Sequence, residues 1–395
     1  MRQSTDRIIT THTGSLPRPA ELIAPLQAKD GGEAYDAAPL AEKVRQSVME
    51  VVRHQDAIGL DVISDGEHSK SSFTAYLGTR LAGLSRAPEP YQAYKPTRDA
   101  LAFPEVYAEN RVMLAARPRP VAKPGAGRRW LRCSGPIKYI GHAEVAADIA
   151  NMKAAMAATK AQEGFMTALS PSNLEVFYRN DYYRTAEEYL TALADAMHEE
   201  YKAIVDAGLV LQIDDPQLVT YYDRTPGISI EDCRQFIALR VEILNHALRG
   251  IPEDRVRFHT CYSTNIAPRA YDLELKDYID LMLKINAAAY SFEASNPRHE
   301  HEWAVWQQVK LPPGKVLLPG VVSHCVSLIE HPELVAQRII RYAEIVGREN
   351  VIASTDCGFG TSAAGDELHA DVAWAKLDAL VKGARLASAT LWGRA

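Results

Sequence analysis

Residues 230–262 read IEDCRQFIALRVEILNHALRGIPEDRVRFHTCY, a helical pattern followed by a short apolar run that ends in polar residues. Ser229 stands just ahead of the helical stretch Ile230–Arg249, and Glu231 and Asp232 make its first turn acidic, the chemistry of a helix start. VRFHTCY at 256–262 reads as a strand. The same rhythm extends in both directions. Apolar runs ending in polar residues occur at Ile8–Ser15, Asp61–Glu67, Phe165–Ser170, Val210–Pro216, Val256–Tyr262, Ala288–Ser295, Leu317–Ser323 and Val351–Gly358. Helical patterns lie between them at Ala41–Ile58, Ala186–Ala207, Leu273–Ile285 and Pro332–Val346, and Thr185 leads AEEYL as a second helix start.

Strands alternating with helices predict a parallel sheet. Eight such units, with no further strand pattern at either end, predict a (β/α)8 TIM barrel, an α/β fold. The alternative is an open doubly wound sheet, which wants a glycine-rich turn after its first strand. The turn here, GSLPRP at 14–19, has one glycine and two prolines. Residues 84–130 are rich in proline and basic residues and show no steady period. They read as an insertion between the second and third barrel strands, continuing into a hairpin that ends in SGPIKYIG (134–141). The region 84–141 is then a lid-like appendage within a single catalytic domain spanning 1–395, since long insertions are usually lids, partner surfaces or disordered.

The chain has 395 residues and is 47% hydrophobic, enough for a large core, and its net charge of -6 is spread along the sequence. No block of like charge suggests nucleic acid or a membrane surface, so the substrates are expected to be small molecules. The opening MRQSTDRIITTHTGSLPRP carries no apolar secretory run, and no stretch reaches transmembrane length. The five cysteines, at 133, 233, 261, 325 and 357, are odd in number and widely spaced, which does not read as a disulfide framework. A cytoplasmic location follows as an expectation. A homo-oligomer is compatible with all of this.

In a parallel barrel the carboxyl ends of the strands form the active site. Those ends carry His12 and Ser15, Asp65 and Glu67, Ser170, Asp214 and Asp215, His259 and Cys261, Glu293, His324, and Asp356 and Cys357. His259 and Cys261 form an H-x-C pair, and alternate residues of a strand point the same way. With Glu293 on the next strand and Cys357 on the last, they make a sulfur, nitrogen and oxygen set suited to tetrahedral Zn2+. Taken singly, each reads equally as a buried thiol or a core histidine; it is the set of four that points to a metal. Two thiolates and a carboxylate make such a zinc a poor source of hydroxide. It can still hold an incoming thiol as thiolate, which points to alkylation of sulfur.

At these strand ends the chain resembles the catalytic C-terminal half of cobalamin-independent methionine synthase, within the barrel superfamily that includes uroporphyrinogen decarboxylase. The resemblance rests on TTHTGSLPRP near the start, DVISDGE (61–67), LQIDDP (211–216), HTCYS (259–263), SFEAS (291–295), LPGVVSH (318–324) and STDCG (354–358). It implies a short, core-type zinc methyltransferase with His259, Cys261, Glu293 and Cys357 as ligands. It also implies that Glu67 and Asp214 hold the amino group of homocysteine, and that the backbone at Gly14–Ser15 receives its carboxylate. His324 resembles a histidine that relays a proton to the leaving group, displaced by one residue in register.

Two departures stand out. After DGE the synthase pattern continues with arginine, asparagine and aspartate, whereas this chain reads HSKSSFTAY. Where a tryptophan is expected to stack on folate, the chain reads SPSNLEVFYRND, with Phe177 or Tyr178 nearest. The thiol half of the site is retained and the donor half rebuilt, so folate is not implied as the methyl donor. Tyr182, Tyr183 and Lys138 are candidate contacts on the donor side. The rival readings are an epoxide-opening transferase that uses a sulfonated thiol, a metal-free decarboxylase, and a barrel that only stores or senses zinc. An epoxide-opening transferase would have little use for Glu67 and Asp214.

Overall fold

The computed structural model describes residues 1–87, 96–108, 131–262, 268–362 and 368–393. Ser263 and the middle of the expected insertion, 88–95 and 109–130, lie outside the described residues. The eight apolar runs all become strands: β1 (Ile9–Thr10), β2 (Val62–Ser64), β5 (Glu163–Leu169), β7 (Val210–Asp214), β8 (Val256–His259), β9 (Ala289–Glu293), β10 (Val316–Val322) and β11 (Ile352–Thr355). They form one parallel eight-stranded sheet in the order β1-β11-β10-β9-β8-β7-β5-β2. Its two edges meet where the Asp61 amide donates to Thr10 O at 3.1 Å and Thr11 Oγ1 donates to Val62 O at 3.0 Å. The sheet is therefore a nearly closed α/β barrel.

Each strand is buried on both faces. Inside the barrel, Ile9, Val62, Phe165, Val210, Ala289, Val316, Leu318 and Ile352 pack together, with residues contributed by strands all round the ring as a filled barrel requires. Outside, the larger core joins strands to helices through residues such as Val44, Leu190, Ile237, Ile339 and Leu377. The helix starts work as expected. Thr185 Oγ1 accepts from the Glu188 amide at 3.1 Å and Ser229 Oγ from the Asp232 amide at 3.0 Å. One helix differs from expectation. The stretch 273–285 is broken into a 3-10 turn, Leu275–Asp277, and one short helix, Ile279–Met282. Its polar groups have partners elsewhere: the Leu275 backbone amide donates to Glu302 Oε1, and the Tyr278 hydroxyl meets that of Tyr262.

The insertion falls between the second and third barrel strands. β3 (Leu81–Arg86) pairs antiparallel with β4 (Leu131–Tyr139), and β6 (Arg179–Asn180) adds to β4, giving a small three-stranded sheet outside the barrel. A buried ionic knot ties it down. Arg80 lies 3.2 Å from Glu200, which also accepts from the Tyr76 and Tyr139 hydroxyls at 2.9 and 2.6 Å.

Gly320 on β10 lies against the strand that carries the last polar residues of the barrel. A β-carbon there would overlap Asp356 Cα and Oδ1. Gly320→Ala is expected to destabilise the fold by about 1–3 kcal/mol through overpacking, read from urea unfolding; an unchanged midpoint would show that β11 gives way freely.

Candidate active site

β8 ends at His259, and the chain turns so that Cys261 follows two residues on. β11 ends two residues before Cys357. Barrel closure brings the two cysteines together with Sγ atoms 3.4 Å apart. His259, Cys261 and Cys357 are all buried, and their ligand atoms lie within 4.8 Å of one another. His259 Nδ1 meets Ser291 Oγ at 3.1 Å. Its Nε2 is buried without a hydrogen-bond partner, an arrangement that costs free energy unless something accepts the lone pair. Burial and the nearby Arg257 charge push this imidazole down to about 3, so it is neutral and available as a ligand. The Cys261 sulfur, burial and Glu293 together raise the Cys357 thiol well above its usual range. Bare, Cys357 holds its proton; a cation beside it would reverse that.

Glu293 stands beside this cluster but outside it. Its Oε1 accepts from the Tyr262 amide at 2.7 Å, and its Oε2 from Asn296 Nδ2 at 2.6 Å and Arg269 at 3.2 Å. Asp356, one residue before Cys357, accepts from the Ala294 and Ser295 amides at 2.7 and 3.0 Å and so fixes the loop that follows Glu293.

A cavity opens onto the cluster, lined by Thr13, Ser15, Glu67, Phe73, Phe177, Asp214, Gln217, Thr220 and Arg224 among others. Glu67 sits at φ 59, a left-handed backbone that a non-glycine residue adopts only under constraint. Arg18 supplies part of that constraint, donating to the carbonyls of Glu67 and Lys70 at 2.9 and 2.8 Å. The turn aims the Glu67 carboxylate into the cavity, where Oε1 accepts from Thr167 Oγ1 at 2.7 Å. Arg18 is 3.8 Å from Oε2, too far for a hydrogen bond. Across the cavity, Asp214 Oδ1 accepts from Gln212 Nε2 at 2.7 Å. Burial and the Glu67 charge raise Asp214 well above the carboxylate range. Two acids thus face one cavity, with Arg224 also in its lining.

Other strand-end residues serve the scaffold. His12 Nε2 meets Gln55 at 2.8 Å, Ser170 Oγ accepts from the Asn173 amide at 3.3 Å, and Asp215 accepts from Ser172 at 2.5 Å. His324 is buried with Nε2 3.0 Å from Cys325 Sγ, not on the surface, and it is not among the cavity-lining residues. Tyr182, Tyr183 and Lys138 do not line the cavity either. Tyr183 is spent on the small sheet, accepting from the Ile137 amide at 2.9 Å, while Lys138 is exposed on β4. Phe177 does line it, joined by Phe73, which sequence reading missed. Arg257 and Arg269 were also missed. Arg257 is fully buried inside the barrel, 3.8 Å over the Phe165 ring; nothing in a lone strand arginine signals that it points inward.

Fold and site together place the chain among barrel enzymes that act on a thiol. Residues 8–98 and 141–381 match the model of the cobalamin-independent synthase catalytic domain, and the chain belongs to that family. It is a methyltransferase. The chain is 24% identical to the methionine synthase of Thermococcus kodakarensis over 380 residues, covering 95% of this chain and 92% of that one. The methionine synthase of Saccharolobus solfataricus is 24% identical over 379 residues, with 95% and 94% covered. In fold it is similar to a B12-independent methionine synthase from Shewanella sp. W3-18-1, solved in complex with selenomethionine, with TM-score 0.70 at 18% identity over 98% of this chain and 99% of that one. The matched residues skip 99–140, inside the insertion.

Asp214 gives a test in the substrate-free protein. Because its folded pKa is raised, folding holds a proton that the unfolded chain releases, so stability falls as pH rises above about 4. Asp214→Asn is expected to flatten that slope in melting curves taken from acid to neutral pH. An unaltered slope would mean that the Glu67–Asp214 repulsion is already relieved.

Proposed function

We propose that this methyltransferase transfers a methyl group to the sulfur of homocysteine or a closely similar amino-thiol, with one zinc held by His259, Cys261, Cys357 and, as a fourth and exchangeable ligand, Glu293. The observation that carries the reading is the buried trio with its unpartnered imidazole nitrogen, opening onto a cavity with two facing acids. Zinc there would supply a thiolate at neutral pH.

The chain's own residues do the rest. Glu67 and Asp214 take the substrate ammonium, and the same charge lets Asp214 give up its proton. The backbone at Gly14–Ser15 receives the carboxylate. Phe73, Phe177 and Pro216 form the apolar wall offered to the methyl donor, whose identity is open because Phe177 stands where a folate-stacking tryptophan is expected. His324, buried just beyond β10 beside Cys325, is the candidate to pass a proton to the departing group. The whole chain acts as one catalytic unit, with 84–141 as its appendage. Cysteines free of disulfides among the described residues, and no described helix long and apolar enough to cross a membrane, are consistent with a cytoplasmic enzyme.

Purified protein is expected to carry about one zinc per chain, lost in Cys357→Ser, and X-ray absorption should show a further sulfur entering on homocysteine addition. Absence of stoichiometric zinc in the wild type would remove the reading. Glu67→Gln and Asp214→Asn should each raise the homocysteine KM about 10- to 100-fold, because a charge-assisted hydrogen bond to the ammonium is lost. An equal effect on a thiol that lacks the amino group would reassign both acids to structure.

A further inference from the structure

Glu293 is the one proposed ligand whose carboxylate is already engaged by the protein, and the engagement has an unusual origin. Arg269 spans two acids, with Nε 3.0 Å from Asp272 Oδ2 and Nη2 3.2 Å from Glu293 Oε2. Asp272 is held in turn by His299 at 3.2 Å, and His299 by Glu302 at 2.9 Å. The His299 ring stacks on Tyr262, with centroids 3.9 Å apart, and the Tyr262 amide is the donor to Glu293 Oε1. The carboxylate therefore sits in a closed frame of Arg269, Asn296 and Tyr262.

The loop that presents Arg269 is braced by the insertion. Tyr107 donates its hydroxyl to Pro268 O at 2.9 Å, and Asp99 Oδ1 accepts from the Ala270 amide at 2.8 Å. Both braces fall in 99–140, where the family model has no counterpart.

We propose that Arg269 is a positioning residue that competes with the metal for Glu293, and that Asp99 and Tyr107 hold it in place to do so. The inference rests on the zinc reading above. Two thiolates and a carboxylate carry three negative charges against the two of the metal. The Arg269 guanidinium offsets the excess in a buried setting, where an uncompensated charge is costly. It also offers Glu293 an alternative partner, so the carboxylate can yield its place when a thiol arrives. Without Arg269 the carboxylate would bind the metal more firmly, and the site, one charge more negative, would hold the cation tighter and resist an incoming thiolate.

The test is zinc affinity by chelator competition, homocysteine affinity by calorimetry and the ligand shell by X-ray absorption, on the full chain. Arg269→Gln is expected to tighten zinc about tenfold, weaken homocysteine about tenfold, and retain an oxygen ligand after the thiol is added. Arg269→Lys, which keeps the charge, should stay near wild type. Tyr107→Phe should move both affinities in the same directions by about two- to threefold, and it carries the test if Arg269→Gln does not fold. Wild-type protein that takes up no zinc would remove the functional reading and this inference together. Zinc-loaded wild type with both affinities unchanged, or zinc weakened, in Arg269→Gln and Tyr107→Phe would overturn this inference alone.

Discussion

Cys261 and Cys357 are 96 residues apart in the chain and 3.4 Å apart in space. That approach is the constraint on which the site depends. It requires β8 and β11, separated in the sheet by β9 and β10, to end at the same level of one ring. Gly320 contributes by letting β10 and β11 close up, and Asp356 contributes by tying the end of β11 to the loop after β9. Burying two thiols side by side is not something an apolar core calls for: the Cys261 sulfur helps to push the Cys357 thiol up.

The site divides into two kinds of unrelieved polarity. Beside the two thiols it is an imidazole nitrogen buried without a hydrogen-bond partner. In the cavity it is a pair of buried carboxyl groups, Glu67 and Asp214, the first of which helps to push the second up. Unrelieved groups of this kind gather at functional sites. The left-handed backbone at Glu67 and the fully buried Arg257 are costs of the same kind. Both are borne by a large apolar core whose residues come from every barrel strand and most of the helices.

Family likeness and local departure also separate cleanly in space. The matched residues build the barrel and both acids of the cavity. The unmatched residues 99–140 contribute β4, the central strand of the small outer sheet, and two hydrogen bonds to the loop bearing Arg269.

The sequence by itself determined the eight strands, the barrel and the strand-end acids, thiols and imidazole. Periodicity and polar termini are local properties, and a strand buried on both faces must be an unbroken apolar run. Val210–Asp214 and Val256–His259 show this most plainly, since each polar end residue closes its own strand. Tertiary structure alone decided which polar residues meet at the thiol cluster and its cavity and which brace the scaffold. His12 and Asp215 have the same sequence credentials as His259 and Asp214, yet they hydrogen-bond to neighbouring helices. It also decided the fate of Glu293, whose partners Arg269 and Asn296 come from loops, and the breaking of the 273–285 helix. The physical reason is the same throughout: a side chain's charge state and partners depend on what three-dimensional packing brings within about 4 Å of it, and the one-dimensional pattern records only its immediate neighbours.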